Sequence, residues 1–300
     1  MLIVLIEILV MLFGLMGLGM LLKYIASKWF KWIERIVDMF TKVLYYGLLP
    51  LLFFNIFYTR GLDIADVNIS IIVTVYVFVS IGLLWYTSRK LDPGLRKSLV
   101  MSSIFSNAIF LGFPILYFLY NDITYASLYS LVLLSYNIAI GGLLGAEKNI
   151  AKNIAKIPLI YGFTAGVLAH YYAPWIGEPI VTCIAEPVSK LTTYGSIIIV
   201  GFSIPLTTHV IRKYWKLILL QGLFRYTISP LIHYVLLLAL PIPVQGYYQL
   251  MVESIMPPGL INTVLARIHG WNHEYAASAT LVLTLTTPPT IILLRSIGLI

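Results

Sequence analysis

The chain has 300 residues, of which 60% are hydrophobic and 11% are charged. Soluble domains average about 45–50% apolar and about 25% charged residues, so this composition excludes an ordinary soluble protein and indicates an integral membrane protein. The single cysteine, Cys183, excludes an internal disulfide and a cysteine metal cluster. The net charge of +8 indicates basic cytoplasmic loops rather than a nucleic-acid partner.

Apolar runs separated by charged and turn residues predict ten membrane spans. At about 20 residues per span with short connections, the chain forms one membrane domain, 1–300, and has no room for a sizeable soluble domain. The basic and aromatic stretch 23–38 is expected either to lie along the membrane surface or to extend the second helix. The predicted spans are 2–22, 39–59, 68–87, 98–120, 124–144, 157–172, 190–209, 215–240, 247–267 and 275–294.

Lysine and arginine are distributed unevenly between alternate loops. Fifteen of them lie in or beside the odd-numbered loops, and only Arg60, Lys190 and Arg295 lie on the opposite side. Cytoplasmic loops carry the excess of lysine and arginine in membrane proteins. The sequence therefore predicts a multi-pass protein of the cell membrane with both termini outside.

The two halves of the chain, 1–148 and 157–300, share a pattern of prolines. Each half has a proline in its second span, Pro50 and Pro205, and another in its fourth, Pro114 and Pro257. Five spans per half is an odd number, so the halves must insert in opposite directions. This pattern predicts an all-α fold of two inverted five-helix repeats.

The fourth and ninth spans carry helix breakers near their middle. Gly112 and Pro114 are expected to interrupt the fourth, and Pro257, Pro258 and Gly259 the ninth. Proline in a helix costs roughly 3 kcal/mol or more because it removes an amide and clashes with the preceding turn. In a membrane, the freed backbone groups are tolerated only in protein or beside a wet cavity. Two such breaks predict crossed helices at the substrate site of a secondary transporter.

Polar side chains flank both predicted breaks: Ser106 and Asn107 in the fourth span, and Asn262 and Thr263 in the ninth. The exposed amides at the start of a half-helix carry about half a positive charge and suit a carboxylate. Asparagine can both donate and accept a hydrogen bond. These residues predict a site for a small organic anion. The alternative is that each asparagine only caps the freed backbone of its own helix.

Two ionisable residues, Arg225 and Glu253, are expected to lie deep within the hydrocarbon. Burying either costs at least about 2.5–3.5 kcal/mol, so they are expected to face the bundle interior and to pair with each other. In one interpretation Glu253 accepts a coupling proton and Arg225 attracts an anion or Glu253. In the other, they form an ion pair that only holds spans eight and nine in register. Glu7 and His233 are expected to be satisfied or interfacial.

The segment Asn107-Ala-Ile-Phe-Leu-Gly-Phe-Pro114 resembles the N-x-x-x-x-G-x-P signature of the auxin efflux carrier family. Met256-Pro-Pro-Gly-Leu-Ile-Asn-Thr263 is similar to the ninth-helix motif of that family, and Tyr136-Asn137 to an asparagine-containing pair in its fifth span. The resemblance implies ten helices, with helices four and nine crossing at Pro114 and Pro257. It also implies that Asn107 contacts the substrate carboxylate, and it makes Asn137 a binding candidate.

The same resemblance implies a relation to bile-acid and sodium/proton transporters. Helices one, two, six and seven would form a scaffold for a homodimer, and the other helices would move like an elevator. Many members carry glycine where Ile109 stands, which bears on the width of the pocket.

We therefore expect a secondary transporter, an exporter of a small organic anion such as an auxin-like or dicarboxylic acid. An inside-negative potential drives an anion outward by about 2.3 kcal/mol per charge per 100 mV. Two alternatives are a sodium- or proton-coupled carrier of the bile-acid type and a membrane receptor without a transport cycle. No P-loop, HExxH or GxSxG pattern occurs, so we expect neither an enzyme nor a cofactor or metal. The expected partners are the anion, membrane lipid and a second copy of the chain.

Overall fold

The computed structural model describes residues 2–176, 178–204, 209–296 and 298. This part of the chain is helical and contains no strand. Its helices, in chain order, are α1 (Leu2–Lys28), α2 (Trp32–Val43), α3 (Leu49–Arg60), α4 (Ile64–Thr87), α5 (Pro93–Ile104), α6 (Phe113–Tyr120), α7 (Thr124–Leu144), α8 (Ile150–Ala155), α9 (Pro158–Tyr172), α10 (Glu178–Ser203), α11 (His209–Leu223), α12 (Ser229–Ala239), α13 (Val244–Ser254), α14 (Leu260–Ile268) and α15 (His273–Ser296).

Six helical segments of the described chain are long and apolar enough to cross a membrane: Val10–Lys28, Trp32–Arg60, Ile64–Thr87, Thr124–Leu144, Ile211–Ala239 and His273–Ser296. The prediction of a helical membrane protein agrees with this finding. The predicted fourth and ninth spans are each divided into two shorter helices. The helix α9 has 15 residues and so measures about 22 Å at about 1.5 Å per residue.

The basic and aromatic stretch 23–38 extends both neighbouring helices. The helix α1 continues to Lys28, and α2 begins at Trp32. The side chains of Trp29 and Trp32 are exposed. Of the two sequence expectations, the extension of the second helix is therefore correct.

Three π-helical turns each precede a helix whose second residue is proline. A proline ring clashes with the carbonyl group one turn earlier, and it offers no amide to bond. The wider π turn adds a residue at this place, so the chain stays helical through each proline. The pairs are Leu44–Leu48 with Pro50, Ala108–Gly112 with Pro114, and Phe224–Ile228 with Pro230. Pro205, the predicted counterpart of Pro50, lies outside the described residues.

Two helix pairs approach each other through glycines. The helix α9 packs on α3, and α10 packs on α1. A Cβ atom on Gly162 would lie 2.7 Å from the Cα of Pro50 and would overlap its carbonyl oxygen. One on Gly201 would lie 2.8 Å from the Cα of Met16 and would likewise overlap its carbonyl oxygen. Small residues at such crossings allow the backbones to pack closely, as in other membrane helix pairs.

The helices α4, α7, α11 and α15 form a second set of neighbours. The helix α4 packs on α7, and α11 packs on α15. The first part of each divided span contacts this set, because α5 packs on α4 and α15 while α13 packs on α7 and α12. The π turn before α6 packs on α10 of the other set. The first divided span thus contacts both sets.

Candidate functional site

The first break lies between α5 and the π turn that precedes α6. At Phe105 the backbone is extended, with φ −91° and ψ 102°, and Asn107 is also non-helical. The prediction that Gly112 and Pro114 interrupt this span is therefore wrong in position. Gly112 ends the π turn and Pro114 sits in the first turn of α6, where the wider ring accommodates the proline.

The second break lies between α13 and α14. The helix α13 ends at Ser254, and α14 begins at Leu260. The intervening residues include Pro257, Pro258 and Gly259, where the sequence predicts the interruption. Two consecutive prolines remove two amides, which favours an end to the helix here, although Pro288 and Pro289 lie within α15.

The two breaks bond to each other. The amide of Asn107 donates to the carbonyl oxygen of Pro257 at 2.7 Å, and the amide of Gly259 donates to the carbonyl oxygen of Phe105 at 2.9 Å. These bonds form an isolated antiparallel β-bridge between Ser106 and Pro258. Freed backbone groups of each helix are thus satisfied by the other, as an apolar environment requires.

Arg225 binds the ends of both first half-helices. Its Nε donates to the carbonyl oxygen of Met256 at 2.7 Å, and its Nη2 also donates to this oxygen. Its Nη1 donates to the carbonyl oxygens of Ser103 and Ile104 at 3.2 and 3.3 Å. The side chain is fully buried. The last carbonyls of a helix lack partners and carry partial negative charge, so the guanidinium group satisfies α5 and α13 together.

Glu253 is also fully buried, but it makes no ion pair with Arg225. Its two carboxyl oxygens have no hydrogen-bond partner within the described chain. The carboxyl group lies against the backbone of Gly112, where a Cβ atom would come within 2.7 Å of Oε2. The predicted pairing is therefore wrong, because the donors of Arg225 are directed to backbone carbonyls instead.

A buried polar network that sequence reasoning missed surrounds Arg225. The hydroxyl of Tyr76 accepts from Nη1 of Arg225 at 3.0 Å and from the hydroxyl of Ser229 at 3.2 Å. His233 contacts the carbonyl oxygen of Ser229 at 2.8 Å and the hydroxyl of Tyr129 at 3.1 Å. His233 is thus a satisfied buried histidine, as expected. Tyr76 could have been noticed as a tyrosine in the middle of the apolar run 64–87.

A cavity of about 270 Å³ lies beside the paired breaks. The start of the π turn and the start of α14 both contribute to it, so two helix N-termini meet there. Most of the wall is apolar, and no lysine or arginine of the described residues lines it. The lining residues are Thr41, Tyr45, Phe105, Ser106, Asn107, Ala108, Ile109, Phe110, Ser130, Leu133, Leu134, Asn137, Ile199, Ser203, Gly259, Leu260 and Ile261.

The asparagines have different environments. Asn137 Nδ2 donates to Asn262 Oδ1 at 3.0 Å, and Asn262 Nδ2 donates to the carbonyl oxygen of Phe105 at 2.7 Å. Asn262 thus caps the other broken helix rather than its own. The side-chain nitrogen of Asn107 is buried and has no hydrogen-bond partner among the residues that the structure describes. Asn107 therefore retains an unused donor beside the cavity.

The predicted site residues thus fall into two groups. Ser106, Asn107, Asn137 and Gly259 line the cavity, and Asn262 supports it through Asn137. The prolines do not line it: Pro257 and Pro258 form the bridge, while Pro114 is buried in α6. Gly112 contacts Glu253 instead. Within the described chain, no cluster of three or more His, Cys, Asp or Glu residues could hold a metal ion.

A scan against protein-family models finds none that matches this chain. A search of curated proteins finds no match either.

Proposed function

We propose that this chain is a secondary transporter of a small organic anion, built from ten membrane spans in two inverted repeats. The observation that carries this proposal is the pair of broken helices. They bond to each other at their breaks and direct two helix N-termini at one cavity. In membrane transporters, breaks of this kind at the repeat interface form the substrate site.

The pattern of helix contacts supports the inverted repeats. Under such symmetry, spans one to five correspond to spans six to ten. The pairing of α1 with α10 then corresponds to that of α9 with α3, and both occur. Likewise α4 with α7 corresponds to α11 with α15, and α5 with α15 corresponds to α13 with α7. Contacts that recur in both halves are the expected result of a duplicated fold.

The cavity favours an anion with an apolar body. The positive ends of two helices and the free amide of Asn107 attract one carboxylate. The rest of the wall is mainly apolar, with Tyr45, Phe105 and Phe110 among its aromatic side chains. An auxin-like acid with one carboxylate fits this arrangement better than a dicarboxylic acid, whose second charge would face apolar side chains.

The distribution of charge supports a cytoplasmic opening of the cavity. Two of the three basic residues predicted outside form ion pairs, Arg60 with Asp66 at 2.7 Å and Lys190 with Glu186 at 2.5 Å. The outer side therefore offers less unpaired positive charge to attract an anion than the basic cytoplasmic loops do. The cavity is lined by Ser203, the last residue of α10, which leads to the basic stretch near Arg212. An anion entering from this side would be exported by an inside-negative potential.

The resemblance to the auxin efflux carrier family agrees with this proposal. The tightly packed pairs α1–α10 and α3–α9 contain spans one, two, six and seven. They are suited to be the static scaffold and the surface for a homodimer, while the helices around Arg225 move together. Lipid would surround the exposed apolar side chains of these helices.

Ligand binding is tested first, by a thermal-shift screen of the purified protein against small carboxylates. Indole-3-acetate is expected to raise the melting temperature more than malonate. The shift should be lost in Asn107→Ala and kept in Asn149→Ala, which changes an exposed asparagine in a loop. Equal shifts in both variants would contradict a role for Asn107 in binding.

Transport is tested next in liposomes that hold the ligand found in the screen. Efflux is expected to increase when a potential that repels the anion is imposed, and to be abolished by Asn107→Ala. Dependence of efflux on a proton gradient would instead favour coupling through Glu253. Binding without any flux would favour the membrane receptor.

A further inference from the structure

We propose that Arg225 is a built-in cation that occupies the place where a sodium-coupled carrier of this architecture would hold a sodium ion. The chain would then bind no coupling sodium at the crossing of its broken helices. In this view Arg225 is a positioning residue: it holds the two breaks together and does not contact the transported anion.

The surroundings of Arg225 resemble the ligands of a cation. Its guanidinium group is bonded by four oxygens: the carbonyls of Ser103, Ile104 and Met256 and the hydroxyl of Tyr76. Three of these are backbone carbonyls at or just beyond the ends of α5 and α13. In transporters with broken helices, such carbonyls and C-terminal helix ends coordinate the coupling sodium ion or proton.

The guanidinium group donates hydrogen bonds to all four of these oxygens. Every nitrogen of Arg225 has a hydrogen-bond partner, and the side chain is fully buried. A planar guanidinium group presents five donors in a fixed fork, so it can span two helix ends at once. A sodium ion would need the same carbonyls and would face the positive charge at close range.

Glu253 places a buried carboxyl group close to this place. It lies three residues before Met256, whose carbonyl oxygen accepts from Arg225. Within the described part of the chain, its carboxyl oxygens have no hydrogen-bond partner. Carboxyl and carbonyl oxygens are the hard ligands that cations such as sodium and calcium prefer. The local chemistry thus suits a cation, and the chain provides one covalently.

One consequence rests on the proposed function: a cation that is never released cannot couple transport to a sodium gradient. The empty carrier could return without loading an ion, which fits export driven by the potential alone. The substitution of a fixed cation for a free one does not depend on transport. It can therefore be tested by stability measurements even if no flux is found.

The first test compares the melting temperature of the purified wild-type protein in sodium chloride and in choline chloride at equal ionic strength. Any ion that binds only the folded state raises the melting temperature with its concentration. We expect no difference between the two salts. A sodium-dependent rise would overturn the proposal, because it would reveal a free cation site.

The second test replaces the fixed cation with a free one. Arg225→Ala is expected to lower the melting temperature, and millimolar ethylguanidinium or sodium chloride should restore part of the loss. Arg35→Ala, which removes an exposed arginine, should respond to neither ion. Arg225→Ala that responds to neither ion would overturn the proposal.

A third variant covers the case in which Arg225→Ala does not fold. Arg225→Lys keeps the charge but offers one compact ammonium group, which cannot span both helix ends. It is expected to fold with a lower melting temperature that ethylguanidinium does not restore. If Arg225→Lys is as stable as the wild type, Arg225 does not bridge the two helix ends. The comparison of sodium chloride with choline chloride still tests whether the protein has a free cation site.

Discussion

The carboxyl group of Glu253 rests on the backbone of Gly112, across the crossing of the two broken helices. A Cβ atom on Gly112 would lie 2.8 Å from Cδ of Glu253 and would overlap Oε1. The glycine of the fourth span is thus required to make room for an acid of the ninth span, not to break its own helix.

Gly112→Ala is therefore expected to destabilise the protein by about 1–3 kcal/mol, the usual cost of overpacking a buried site. The cost should nearly disappear in a Glu253→Ala background, because the group that overlaps is then absent. Thermal unfolding of the two single variants and the double variant measures this coupling. Gly82→Ala is the control, since nothing lies within 4 Å of its added Cβ. Equal losses in both backgrounds would mean that Glu253 is not the obstacle.

The close contact of α1 with α10 gives a second prediction. A Cβ on Gly19 would lie 2.7 Å from the amide nitrogen of Phe202 and would overlap the carbonyl oxygen of Ile198. Backbone atoms cannot move aside as a side chain can, so Gly19→Ala should cost about 1–3 kcal/mol. Gly17→Ala, two residues away in the same helix, meets nothing within 4 Å and should be neutral. Thermal unfolding of both variants checks this difference, and similar behaviour would exclude tight packing at Gly19.

Much of the fold could be predicted because apolar runs and prolines act locally. The apolar composition predicts the helical membrane class, and two adjacent prolines, which offer no amides, favour a break at Pro257. The first break could not be placed, because Phe105 has no intrinsic tendency to end a helix, and asparagine, which can cap a helix, also occurs inside helices. They leave the helix to pair with the other break, which is a contact between residues far apart in the sequence.

The partners of the buried charges could not be predicted for a similar reason. Opposite charges suggest an ion pair, and the sequence does not show that helix ends compete for the same cation. Arg225 binds four oxygens, which come from α4, α5 and the break after α13. Only the three-dimensional arrangement of the breaks reveals that these carbonyls need a donor.

A third prediction concerns Gln249, which caps a helix of the other half. Its Oε1 accepts from the amides of Tyr125 and Ala126 at 2.9 Å each, and its Nε2 donates to Asp122 at 2.8 Å. In Gln249→Glu the donor is lost and two carboxylates face each other. The melting temperature should fall, and it should fall less at acidic pH, where protonation of one carboxyl removes the repulsion.

Two controls separate this repulsion from other effects of the substitution. Gln245→Glu, at an exposed position one turn earlier in α13, should change little at any pH. Gln249→Leu should be destabilised to a similar extent at acidic and neutral pH. A loss in Gln249→Glu that does not vary with pH would argue against contact with Asp122.

Membrane topology gives a fourth prediction, tested by labelling single cysteines in a Cys183→Ser background. Leu62 and Lys148 are both exposed and are predicted on opposite sides of the membrane. A membrane-impermeant maleimide should label Leu62→Cys in intact cells and Lys148→Cys only after the membrane is opened. Labelling of both in intact cells would contradict the ten-span arrangement.

The chain of amides from Asn137 through Asn262 to Phe105 gives the last prediction. Asn262→Ala removes the cap of the Phe105 carbonyl and leaves Asn137 without its acceptor. Asn137→Ala breaks only the bond between Asn137 and Asn262. Because the two residues share one bond, their costs should not add, with a coupling of about 0.5–3 kcal/mol in a double-mutant cycle.

The same two variants separate capping from binding. Asn137 lines the cavity, whereas Asn262 contacts the other break. If Asn137 also binds the anion, Asn137→Ala should weaken the carboxylate-induced thermal shift by more than its loss of stability alone would explain. Asn262→Ala should lower stability more and affect the shift less, because its main bond is to the backbone of Phe105. If the loss of thermal shift relative to the loss of stability is the same in both variants, both asparagines only stabilise the paired breaks. The anion would then be bound by the helix N-termini and Asn107.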